Sequence, residues 1–112
     1  MKMMIKGLLV KPGEMPVVVE FENGYRQLQK LVEGTFEMPS LFNDVDIVVN
    51  DEGKINGSSP NRLIYHNNRL IDILFGNILI VDSDEEGETI SLSPEKIEKY
   101  SRIFARSAIT IG

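Results

Sequence analysis

Side chains able to hold or attack a ligand gather in one polar stretch, Asn56-Gly57-Ser58-Ser59-Pro60-Asn61-Arg62, followed shortly by the sole histidine, His66. Gly, Ser and Asn expose backbone and side-chain donors, and the planar guanidinium of Arg62 offers a fork suited to a carboxylate or phosphate. A small molecule or anion held by Asn56, Ser58, Asn61, Arg62 and His66 is one expectation. The stretch lacks the lysine and helix start of a phosphate-binding P-loop, so a nucleotide has no usual anchor there. The structural alternative is a turn set by Pro60, with Asn61 capping and Arg62 paired to a carboxylate such as Asp46. His66 with Asp72 or Ser58 would supply general-base or triad chemistry. Nothing fixes their spacing, and His66-Asn67-Asn68-Arg69 reads as a polar turn.

Carboxylates recur at alternate positions: Glu20 with Glu22, Asp44 with Asp46, Asp82 with Asp84. On one face of a strand such pairs stand about 6.6 Å apart, roughly twice the axial rise per phosphate of one DNA strand. A ridge of this kind can imitate a nucleic-acid backbone; the plainer reading is that solvent faces carry charge. Asp82, Asp84 and Glu86 before Gly87 resemble the opening of a calcium loop, but the position that should hold a bidentate Glu is Ser93. The segment therefore reads as an acidic hairpin loop, and neither a metal nor a cofactor is expected.

Charge decides more than motif. The formal net charge is -5, with Lys2, Lys6 and Lys11 at the start and Lys96, Lys99, Arg102 and Arg106 near the end, so the negative excess lies between them. A field of that sign repels phosphate backbones, so direct nucleic-acid binding is not expected. The absence of cysteine excludes disulfides and thiolate chemistry and agrees with a cytoplasmic location. The opening Met-Lys-Met-Met-Ile-Lys-Gly-Leu-Leu-Val is interrupted by Lys6 and reads as a strand rather than a leader, and no run approaches the ~18 apolar residues of a membrane span.

The elements that must position these groups fit one α+β domain over residues 1–112, of a size that removes roughly two thirds of the unfolded surface from water. Lys2 to Val10 is a central strand, apolar on both faces, and Val17 to Glu22 alternates with Val17, Val19 and Phe21 inward. Asn23 caps a helix over residues 24–33 that ends at Gly34, with Tyr25, Leu28, Leu31 and Val32 in one stripe. Asp44 to Asn50 and Lys54 to Asn56 form a hairpin, with Gly53 at positive φ. Leu70 to Phe75 is strand or helical turn, and Ile78 to Val81 is a buried strand. Ser93 caps and Pro94 opens the last helix, with Leu92 and Ile97 as a staple and Ile97, Tyr100, Ile103 and Phe104 inward. Ala108 to Ile111 adds a short strand. The expected architecture is a mostly antiparallel sheet of about five to six short strands with two helices packed on one face.

Asn50-Asp51-Glu52-Gly53-Lys54-Ile55-Asn56-Gly57, Pro60-Asn61-Arg62, Phe75-Gly76-Asn77-Ile78-Leu79-Ile80-Val81 and Leu92-Ser93-Pro94-Glu95-Lys96-Ile97 carry a resemblance to domain of unknown function family 3846. Ser58-Ser59 departs from the apolar or proline residue expected there. The resemblance implies a small cytosolic accessory protein of bacteria, phages or mobile elements and supplies no activity and no functional residues. The leading expectation is a non-enzymatic protein that binds another macromolecule, a protein partner, through an acidic surface of Glu20, Glu22, Asp82, Asp84 and Glu86, as a nucleic-acid mimic or in an anti-defence role. The alternatives are a small-molecule or anion site in the Asn56 to Arg62 loop and a homodimer formed through a sheet edge.

Overall fold

Two apolar runs, Leu8–Val10 and Ile78–Val81, are buried along their whole length and mark the centre of the fold. The computed structural model describes residues 3–112, so Lys2 lies outside the described residues. In chain order the elements are β1 (Met4–Val10), β2 (Val17–Glu22), α1 (Tyr25–Val32), β3 (Phe36–Glu37), β4 (Asp46–Asn50) and β5 (Pro60–His66). There follow β6 (Arg69–Phe75), β7 (Ile78–Ser83), β8 (Thr89–Ile90), α2 (Pro94–Ile103) and β9 (Ala108–Ile111). The main sheet runs β2-β1-β7-β4-β3 with β8 added on β7, and every pairing in it is antiparallel. A second sheet, β6-β5-β9, joins an antiparallel hairpin to a parallel strand.

The α+β class holds, and the placement of the helices on one face is corrected. Successive residues of a strand point to opposite faces. Ile78 and Ile80 pack with Tyr100 and Phe104 of α2, whereas Leu79 and Val81 pack with Leu28 and Val32 of α1. A strand apolar on both faces needs cover on both, so the helices lie on opposite sides of the main sheet. The second sheet contributes Ile64, Leu74 and Ile109 to the α2 side. The extra sheet was not expected; Leu70 to Phe75, ambiguous in period, resolves as its edge strand β6.

The hairpin expected from Asp44 to Asn56 does not form. Residues 51–57 are a series of turns, Ile55 is 84% exposed, and β4 pairs with β7 and β3 instead. Lys54 to Asn56 offers a partner strand one apolar residue, while β7 offers four, so tertiary burial overrides the local turn signal. Gly53 does not have positive φ; it is buried where an added Cβ would stand 3.1 Å from the Phe75 carbonyl oxygen, and Gly57 takes the left-handed position. Asn23 is not the cap of α1 either. Its amide continues the strand pairing by donating to Met3 O, the N-cap is Gly24, and Glu33 rather than Gly34 takes the αL conformation at the other end.

Val17, expected inward on β2, is 51% exposed, and of that strand only Phe21 is buried, whereas two other local signals are met as read. Ser93 Oγ accepts from the Lys96 amide with Pro94 opening α2. Asn67 and Asn68, with φ of 50 and 62, make the two-residue turn joining β5 to β6, a conformation that Asn tolerates.

Candidate functional site

The polar stretch that opens at Asn56 is divided among three places. Asn61 and Arg62 are in β5, 7% and 4% exposed. Asn61 is the extra residue of a bulge between Pro60 and Arg62, which turns its amide inward. Its Nδ2 donates to Val10 O (2.8 Å) and Gly76 O (2.7 Å), and its Oδ1 accepts from Arg62 Nη1 (2.7 Å). Arg62 Nε and Nη2 donate to Phe104 O, Nη1 also reaches Asn61 O, and Nη2 also reaches Glu14 O. Every N–H of the guanidinium is matched by an oxygen. Its charge meets the carbonyl at the C-terminal end of α2, where cations are favoured, and burial pulls its pKa down from the ordinary value. Among the described residues the expected pairing with Asp46 is absent and Asn61 caps no helix, and neither side chain has a donor left for a ligand.

Asn56 and Ser58 remain at the surface. Asn56 Oδ1 accepts from the amide and the hydroxyl of Ser58 at 3.0 and 2.6 Å, closing an Asx turn. Together with Glu33, Asn50 and Asn77 they line an open hollow of about 290 Å³. His66, at the far end of β5, has Nδ1 3.0 Å from Ile111 O. In the neutral ring this carbonyl accepts a hydrogen bond from Nδ1–H, which leaves Nε2 as an acceptor. His66 opens onto a cleft of about 600 Å³ that also reaches Phe42, Asp44, Ile71, Lys99 and Tyr100. Its imagined partners are engaged elsewhere: Asp72 with Lys54 at 2.7 Å, Ser58 with Asn56.

The strand registers bring distant carboxylates to one end of the main sheet. Met4 faces Glu22, Asp46 faces Val81, and Asp82 faces Ile90, so Glu22, Asp46, Asp82 and the Asp84–Glu88 turn share that end with the preceding Asp44. Glu20 lies further along β2, opposite Lys6 at 3.7 Å. Asp84 Oδ1 accepts from the Glu86 and Glu88 amides, which fixes the turn and leaves Glu85, Glu86 and Glu88 exposed at its tip. Asp82 is not free: Lys96 Nζ sits 2.6 Å from its Oδ2 and 2.7 Å from Asp44 O. Lys99 Nζ lies 3.0 Å from Asp44 Oδ2, and the Tyr100 hydroxyl donates to Asp44 Oδ1.

This network was not read as a site. Tyr100 was visible only as part of an apolar stripe; the available signal is that a buried tyrosine hydroxyl requires a partner. The Tyr100 hydrogen bond, and then Lys99, outweigh burial and hold the Asp44 carboxyl below its ordinary range. Burial and then the Asp44 carboxylate push the Tyr100 phenol up. An ionised Asp44 and a neutral Tyr100 exchange no proton near neutrality, so the pair braces and displays charge rather than moving protons. Among the described residues, no group of three or more His, Asp or Glu side chains is placed to hold a metal ion. No helix among them is long and apolar enough to cross a membrane.

Residues 5–105 match the model of a domain of unknown function, DUF3846. The chain belongs to that family. No curated protein and no solved structure matches it. The DUF3846 match takes in the main sheet from Ile5, both helices and the β5–β6 hairpin with the Asn61–Arg62 pair, and stops before β9.

Proposed function

We propose that this chain is a cytoplasmic, non-catalytic accessory protein that docks a basic surface of another macromolecule on the acidic end of its main sheet. The observation that supports this reading is the convergence of Glu22, Asp46, Asp82, Asp84, Glu85, Glu86 and Glu88, from three separate stretches, on that one end. Lys96 and Lys6 offset Asp82 and Glu20, so the exposed turn from Glu85 to Glu88 is the part with most charge to offer. A nucleic-acid-handling or defence protein, whose own site attracts phosphates, is the partner class that such a surface fits. An accessory role for a phage or mobile element agrees with it.

The test is capture of host proteins from extract by the native chain and by E85K/E86K/E88K, with elution by salt and by a duplex DNA oligonucleotide. The reading expects a basic partner that DNA displaces and that the reversed variant fails to hold. Capture indifferent to salt and to the reversal would sink it. Self-association is a second reading, favoured by half-exposed Leu70 and Ile71 beside the open edge of β6. Solution mass by sedimentation decides it.

A further inference from the structure

The turn between α2 and β9 places cations beside an unpaired strand edge. Among the described residues β9 pairs only with β5, and the Leu63 amide donates to Ser107 O. In a parallel ladder that bond turns Ser107, Ile109 and Ile111 toward β5 and points the N–H and C=O of Ala108 and Thr110 outward. Both residues are exposed. Along this edge runs a shallow furrow of about 490 Å³ lined by Arg102, Ile103, Arg106, Ala108, Ile109 and Thr110. It shares Ile103 and Thr110 with the cleft that reaches Lys99 and His66.

Lys99, Arg102 and Arg106 follow one face of α2 and its C-terminal turn, against the sign of a chain with net charge -5. Arg106 has no ion-pair partner among the described residues, and Arg102 has only exposed Glu98 at 3.4 Å, a contact that solvent screens. Between the cations lies apolar surface from Ile103 and Ile111. The walls are fixed relative to one another because Arg62, in β5, holds Phe104 O at the turn between them.

We propose that this furrow binds an acidic, extended peptide segment of a partner protein, which adds to β9 as a further strand. Its main chain pairs with Ala108 and Thr110, and its Asp or Glu side chains on the α2 side meet Arg102 and Arg106. Main-chain pairing supplies affinity and the charges select the sequence. The surface is distinct from the acidic end, so either can fail alone.

The test uses the full chain and fluorescence anisotropy with four probes: an octapeptide alternating Glu and Val, its Lys-Val counterpart, the Glu-Val peptide N-methylated at alternate residues, and duplex DNA. The Glu-Val peptide is expected to bind and to protect the Ala108 and Thr110 amides from hydrogen exchange. R102E/R106E, both exposed positions, and N-methylation should each weaken binding by about tenfold or more, as loss of desolvated charge contacts or of edge hydrogen bonds implies. Equal binding of the methylated peptide would reduce the furrow to a charged patch. Preference for the Lys-Val peptide or for DNA, or no binding at millimolar peptide, would overturn the proposal. So would a concentration-dependent dimer of the native chain, abolished in R102E/R106E, because the occupant would then be a second copy.

Discussion

The molecule contains two clusters of shared polar hydrogen bonds built on opposite terms. Around Arg62 a buried cation is satisfied wholly by neutral oxygens, the carbonyls of Glu14, Asn61 and Phe104 and the amide of Asn61. Around Asp44 the partners are themselves ionisable: Lys96, Lys99, Tyr100 and, through Lys96, Asp82. The first uses every donor internally and is a structural joint. The second is half-exposed, leaves charge at the surface and responds to pH. A charged residue in a promising sequence context is thus no guide to function until its partners are counted.

The comparison breaks first at Arg62. Arg62→Ala leaves carbonyls inside the protein without donors, at roughly 1–3 kcal/mol each, so a loss on the order of 3–5 kcal/mol in urea unfolding is expected. Arg62→Lys keeps the charge but not the fork and should recover only part of it. A loss below about 1 kcal/mol for Arg62→Ala would mean that water substitutes for the guanidinium and that the joint is not structural.

Tyr100→Phe comes next. It keeps the ring packed edge-on against Phe42, 5.2 Å between centroids, and removes only the bond to Asp44. About 1–2 kcal/mol is expected, measured by the same unfolding.

The pH dependence then separates the clusters. Asp44 is lowered in the folded state, so its contribution is full above the ordinary carboxylate value of about 3.9 and is lost as pH falls below that and through the lowered folded value. Tyr100 is raised, so its contribution is full below about 10 and is lost as pH rises above that. Stability should fall at both extremes, with the alkaline fall reduced in Tyr100→Phe and the acid fall reduced in Asp44→Asn. An unchanged alkaline limb in Tyr100→Phe would assign that limb to other groups. The smallest effect belongs to Lys99→Ala, whose pair with Asp44 is 54% and 38% exposed on its two side chains. It should cost roughly 0.2–1 kcal/mol and lose even that in salt.

What could be read from sequence was what neighbours along the chain decide. Ser93 and Pro94 mark a helix start by themselves, Asn67-Asn68 marks a turn, and Ile78 to Val81 must be buried wherever it goes. The side on which each helix packs needed the registers of β4 and β7, which no local pattern carries. Asn61 and Arg62 looked available because their partners Val10, Glu14 and Phe104 stand 51, 48 and 42 residues away. The Asp44 to Asn56 hairpin failed for the same reason: its local turn formers were sound, and a more apolar strand from further along took the place of the partner. The carboxylates were visible singly; their convergence on one end was not.

The oxygens that Arg62 and Asn61 gather extend from Val10 to Phe104. During synthesis the joint therefore cannot close until residue 104 has left the ribosome, since Arg62 in β5 waits for a carbonyl made just beyond α2. Until then the emerging strands have exposed edges and an unsatisfied cation, and a stalled or shortened product ending before Phe104 should be a substrate for chaperones and proteases rather than a smaller version of the same protein.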